Sequence, residues 1–100
     1  MAVAVDMTYT RSGVDTYHKA SKHMGFAEGE HPGAGILFHW VEATPDGFVV
    51  HDVWESEEQF NAFLDEYLDP MSAALGTEEP EVDIRPVDTY RRPGSTDAER

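Results

Sequence analysis

Two apolar runs constrain this chain more than any other feature of it. Ile36 to Ala43 and Phe48 to Trp54 are joined by Thr44-Pro45-Asp46-Gly47, and each run is apolar on both of its faces. Proline presets φ at the first turn position, and Gly47 is expected to take a positive φ as the bulge residue of a three-residue hairpin loop. Alternation puts Ile36, Phe38 and Trp40 on one face of the first run and Leu37, His39 and Val41 on the other. The second run shows Phe48, Val50 and Trp54 against Val49 and Val53. An antiparallel sheet with helices on one side normally keeps its other side polar. Two apolar faces need two covers, and a chain of 100 residues supplies only one layer of helices. A second copy of the chain, docked through an isologous contact, is the expected second cover.

The remaining elements arrange themselves around that hairpin. Val3, Val5, Met7 and Tyr9 alternate as a first strand. Ser12, with Asp15 three residues on, is expected to cap a helix whose buried stripe is Val14, Tyr17, Ala20, Ser21 and Met24, ended by Gly25 at the left-handed C′ position. Glu28 to Gly35 reads as loop. Ser56 and Gln59 form a capping box before Phe60, Phe63, Leu64, Tyr67, Leu68 and Met71, an amphipathic helical spacing. Asp69-Pro70 is expected to break that helix and begin a short turn through Ala74. Gly76 to Pro80 reads as loop. Val82 and Ile84 alternate as a last strand, and Pro86 places it at a sheet edge or a bulge. The order is β-α-β-β-α-β, an α+β ferredoxin-like arrangement over residues 1–90, with 91–100 as a flexible tail.

Charge narrows the partners. Twenty acidic residues against seven basic ones give a formal net charge of -13. Nucleic acid and anionic lipid are held through clustered Lys and Arg, so neither is an expected partner. No apolar run approaches the roughly 20 residues that span a bilayer. Met1 to Thr8 has no basic n-region or long apolar segment, so it is not read as a signal peptide and a cytoplasmic setting is expected. The absence of cysteine excludes disulfides, zinc–thiolate sites and cysteine nucleophiles.

Among the five histidines, His18 and His23 lie roughly 140° apart on their helix and cannot pair on one face. His31 falls in the loop. A metal site built on His39 and His51 needs their rings to converge, and the expected register leaves them diagonal on one sheet face, so no metal is expected. His39 stands out. Flanked by Phe38 and Trp40, it sits where an ionisable group is costly without a partner, and a neutral imidazole there is a usable base near pH 7. A core histidine bonded to a backbone carbonyl fits the same pattern equally well. Tyr17 lies on a buried stripe and needs a partner for its hydroxyl. Trp54 serves either as core or as a pocket wall. No Ser-His-Asp order, phosphate loop or dinucleotide fingerprint is present.

Three segments, Pro32-Gly33-Ala34-Gly35-Ile36-Leu37-Phe38-His39, Thr44-Pro45-Asp46-Gly47-Phe48 and Val53-Trp54-Glu55-Ser56-Glu57-Glu58-Gln59-Phe60, together resemble the small dimeric α/β-barrel proteins, and most of all the antibiotic-biosynthesis-monooxygenase-like group. The resemblance runs from about Val3 to Tyr90. It implies a homodimer of two packed sheets with a small-molecule pocket between sheet and helices in each subunit. It further implies cofactor-independent oxygenation of an aromatic or polyketide-type metabolite. His39 would be the base, Tyr17 or Trp54 the oxyanion donor, and Phe38, Trp40, Phe60, Phe63 and Leu64 the pocket residues. A non-oxidative isomerase or cyclase, or a non-catalytic ligand-binding protein, fits the same pattern. Strict alternation sets His39 and Trp54 on opposite faces, so one pocket for both calls for a bulge or for action at the dimer interface.

Overall fold

A computed structural model describes residues 1–26 and 31–91. Strands β1 (Val3–Tyr9), β2 (Ile36–Ala43), β3 (Phe48–Trp54) and β4 (Glu81–Pro86) form one antiparallel sheet in the order β2-β3-β1-β4. Helices α1 (Val14–His23), α2 (Glu57–Phe63) and α3 (Asp69–Leu75) pack on one face of it. This is the expected ferredoxin-like α+β order. The expected loop residues Glu28 to Glu30 and the expected tail at 92–100 lie outside the described residues.

Alternation in β1 and β3 is strict, and every second residue of each is buried. Val3, Val5, Met7 and Tyr9 meet Phe48, Val50 and Trp54 there, under Phe60, Phe63, Leu68 and Met71. Trp54, Phe60 and Val5 are wholly buried. Burial of each such side chain stabilises the fold by roughly 1.5–3 kcal/mol, so this layer is the main cohesive term.

The hairpin departs from its expected register. Ala43 pairs with Phe48, which leaves a four-residue loop, Thr44 to Gly47. The Thr44 N–H donates to the Gly47 carbonyl at 2.9 Å, and the Gly47 N–H donates to Thr44 Oγ1 at 3.0 Å. Gly47 does not take a positive φ. Glycine is needed there for another reason: a Cβ would lie 2.0 Å from the Tyr9 carbonyl oxygen, because the turn backs onto the end of β1. One extra loop residue shifts the pairing by one and exchanges the partners of every β2 residue. His39 therefore faces Asp52, and Trp40 faces His51. A bulge between Ile36 and Phe38 then ends the regular pairing.

Two helix boundaries also differ from expectation. Gly13, not Ser12, is the N-cap of α1, without a side-chain bond. Glu78 accepts from the Arg11 N–H at 2.8 Å and draws this corner toward the end of α3. Gly25, at φ +85°, ends α1 as expected, with the Phe26 N–H donating to the Ser21 carbonyl at 3.0 Å. Ser56 caps α2 by accepting from the Gln59 N–H at 3.2 Å. Asp69-Pro70 opens a further helix as expected, but the helical run is not interrupted there. Leu64–Leu68 forms a π-helical turn, and Asp69 donates its N–H to the Leu64 carbonyl before α3 begins with proline in its first turn. The widened turn changes the hydrogen-bond register just where Pro70 has no N–H to give.

Candidate functional site

The register shift assembles the site. Asp52 belongs to the inward-facing set of β3, between Val50 and Trp54, and is the only buried charged residue among those described, 3 % exposed. A carboxylate there is tolerated only if its lone pairs are filled. Both oxygens are. Oδ1 takes the Nδ1 of His39 at 2.7 Å, and Oδ2 accepts from the Trp54 indole N–H at 3.1 Å. An ionised carboxylate only accepts, so His39 donates through Nδ1–H, and in a neutral imidazole that leaves Nε2 as the acceptor. Nε2 lies 2.6 Å from the Tyr17 hydroxyl, which therefore donates to it. Trp54, Asp52, His39 and Tyr17 form one directed hydrogen-bond chain from the core to the α1 side of the sheet.

His31 completes the cluster. Its ring centroid is 4.9 Å from that of His39 and 4.8 Å from that of Phe63. The Gly33 N–H donates to His31 Nδ1 at 3.0 Å and fixes the ring. Gly33 can approach only because it has no side chain, since a Cβ there would sit 2.4 Å from the Trp54 ring. Burial drives His31 down to about 4, against the pull of the Asp52 charge, so the imidazole is neutral at pH 7. Tyr17 moves the other way. Burial raises it over the lowering effect of the Ser21 hydroxyl, and the Asp52 charge adds to the rise, so its hydroxyl keeps its proton.

These groups line a narrow cleft between sheet and helices, with Phe63, Met71 and Phe48 among its walls. The cavity volume is only about 30 Å³. One or two waters fit as the side chains stand.

Of the residues expected at the site, the structure brings His39, Tyr17 and Phe63 to the cleft. Trp54 is bonded into the same network but wholly buried, so its N–H serves Asp52 and is not free for a ligand. Its separation from His39 onto the opposite face does not occur, because the longer turn puts both on the inner face. Phe60 is core behind Trp54. Leu64 lines a separate groove near Val82. Phe38 and Trp40 lie on the outer face, 60 % and 46 % exposed. His51 is on that outer face too, with Trp40 stacked on it at 4.1 Å, so His39 and His51 do not share a face as expected. His51 bonds Asp6 at 2.8 Å and Glu42 at 2.6 Å. The sequence reading missed Asp52 and His31. Asp52 was visible as a lone charge in the alternation Phe48-Val50-Asp52-Trp54. His31 carried no comparable signal.

Sheet order and helix placement define a ferredoxin-like domain with a polar cluster in the cleft beneath its helices. The fold is that of the antibiotic-biosynthesis-monooxygenase-like proteins. A conserved protein from Methanosarcina mazei Go1 matches with a TM-score of 0.64 at 15 % identity, covering 85 % of this chain and 91 % of that one. A mutant of SnoaB, a cofactor-independent oxygenase from Streptomyces nogalater, matches at 0.59 and 16 % identity, covering 89 % and 94 %. The ActVA-Orf6 monooxygenase of Streptomyces coelicolor, in complex with nanaomycin D, matches at 0.51 and 24 % identity, covering 92 % and 91 %. No family model and no curated protein matches the sequence.

Proposed function

We propose that this protein is a cofactor-independent monooxygenase of an electron-rich aromatic metabolite, with His39 as its general base. The observation that carries the reading is the Asp52–His39–Tyr17 chain at the cleft, which holds an imidazole in one tautomer with its accepting nitrogen toward the helices. The fold shared with SnoaB and ActVA-Orf6 supports it. A substrate hydroxyl takes the place of Tyr17 at Nε2 and gives up its proton there, and Asp52 stabilises the imidazolium. Tyr17 then donates to the phenolate oxygen. The phenolate passes electrons to O₂, a C–O bond forms at the ring carbon, and loss of water from the hydroperoxide leaves a quinone. One oxygen atom enters the product and the other leaves as water. The substrate supplies all four electrons.

The outer face of β2 and β3 fits a second copy of the chain, because Phe38 and Trp40 lie open there beside Val49 and Val53. The homodimer covers them and leaves both clefts facing outward.

The test is a panel of hydroxylated naphthalenes and anthrones turned over under ¹⁸O₂. Incorporation of one labelled atom per product, lost in His39→Ala, supports the reading. Equal turnover under argon, or a product without added oxygen, replaces it with the isomerase or cyclase. Ligand-dependent thermal stabilisation with no turnover, unchanged in His39→Ala, replaces it with simple binding.

A further inference from the structure

The cleft contains a second chemistry that needs no organic ligand. His31, His39 and Asp52 each offer one donor atom, and the three atoms lie within 4.8 Å of one another. Among the described residues they are the one group of three such side chains gathered in this way. We propose that they bind one divalent first-row transition ion of the zinc and cobalt class at the floor of the cleft.

Two nitrogens and a carboxylate oxygen suit such ions better than Mg²⁺ or Ca²⁺, which take all-oxygen shells. The first two donors are almost in place. His39 Nδ1 and Asp52 Oδ1 are 2.7 Å apart. At bond lengths of about 2.0–2.1 Å they would subtend about 80° at the ion, near the right angle of a five- or six-coordinate site. The ion takes the place of the proton that the two atoms now share. His39 then carries its proton on Nε2 and donates it to the Tyr17 oxygen, 2.6 Å away. Trp54 continues to hold Asp52 Oδ2. Each first ligand thus already has the outer partner that metal sites use to aim theirs.

His31 is the third donor, and it must swing inward by an ångström or more and give up its bond from the Gly33 N–H. Water fills the remaining positions, one or two of which the cleft can supply as it stands. Once the ion is bound, the His39 nitrogen that faces a substrate is protonated. Metal and base chemistry therefore exclude one another at His39, and the proposal stands whether or not the protein is an oxygenase.

Chelator-stripped full-length protein titrated with Co²⁺ alone tests it, read by visible d–d absorption, with Zn²⁺ alone as competitor and no substrate present. Saturation at one ion per chain is expected, with displacement by Zn²⁺ and none by Mg²⁺. His31→Ala should weaken binding at least about tenfold, His39→Ala should abolish it, and His51→Ala should leave it unchanged. Nitrogen-15 spectra of the unsubstituted protein give a readout independent of how the variants fold. Zn²⁺ should move the ring nitrogens of His31 and His39 and spare those of His51. No saturation at one equivalent, a His31→Ala titration like that of the parent, or loss of the signal in His51→Ala would overturn the assignment.

Discussion

Asp52→Asn changes one atom of the buried carboxylate and reverses the proton order of the whole chain. Trp54 can only donate, so the new amide must turn its oxygen toward the indole and its NH₂ toward His39. His39 Nδ1 then has to accept, its proton moves to Nε2, and Tyr17 becomes the acceptor. Three hydrogen bonds survive. Two lose the assistance of a charge, worth roughly 1 kcal/mol each, and relief from burying that charge offsets part of this. A net loss of about 1 kcal/mol is expected, or a fall of roughly 4–8 °C in the melting temperature. Asp52→Leu instead orphans two buried donors at about 1–3 kcal/mol each and should melt far lower. Chemistry responds the other way round in scale, because a base with its proton on the wrong nitrogen loses roughly a hundred- to ten-thousand-fold in rate. Long-range ¹H–¹⁵N spectra report the tautomer directly, without any substrate. An Asn variant whose His39 still carries its proton on Nδ1 would refute the reasoning.

Gly33→Ala drives a methyl into the Trp54 ring, so a loss of roughly 1–3 kcal/mol and a displaced His31 ring are expected by thermal melting and NMR. Trp40→Ser removes apolar area from the outer face alone; sedimentation at micromolar concentration should show the proposed dimer weakened while the monomer fold persists. In metal-free protein, His31 titrates at about 4 when folded, below its ordinary 6.5. Its neutral form therefore contributes stability above pH 6.5 that is lost as pH falls from 6.5 toward 4, and melting curves of His31→Gln should show a smaller acid loss than those of the parent. His51 is raised, its burial outweighed by Glu42 and Asp6. Its contribution is present below pH 6.5 and fades as pH rises through the raised value, so His51→Gln should flatten the stability profile on that alkaline side.

Element order was legible because β1 and β3 keep a strict period of 2 and the apolar residues from α2 through α3 recur every three or four positions. The site was legible only in part, and the reason is a single turn. Thr44-Pro45-Asp46-Gly47 suits a three- or a four-residue loop on local chemistry. The four-residue loop that forms seats Gly47 against the Tyr9 backbone, a tertiary contact absent from any local window. That one residue set whether His39 met Val53 or Asp52, and hence whether Trp54 joined or left the site. The continuous helix through Pro70 was hidden for a similar reason, since proline signals a break unless a wider turn precedes it. His31 reached the cleft through the loop that Gly33 anchors, which no periodicity reports.

The most direct measurement is a crystal structure of the protein with an electron-rich phenol bound. The phenolic oxygen should lie within about 2.6–3.2 Å of His39 Nε2, with the Tyr17 hydroxyl turned onto that same oxygen and the cleft walls parted. A phenol seated on the outer face beside Trp40, with the Tyr17–His39 bond intact and the cleft closed, would contradict the account.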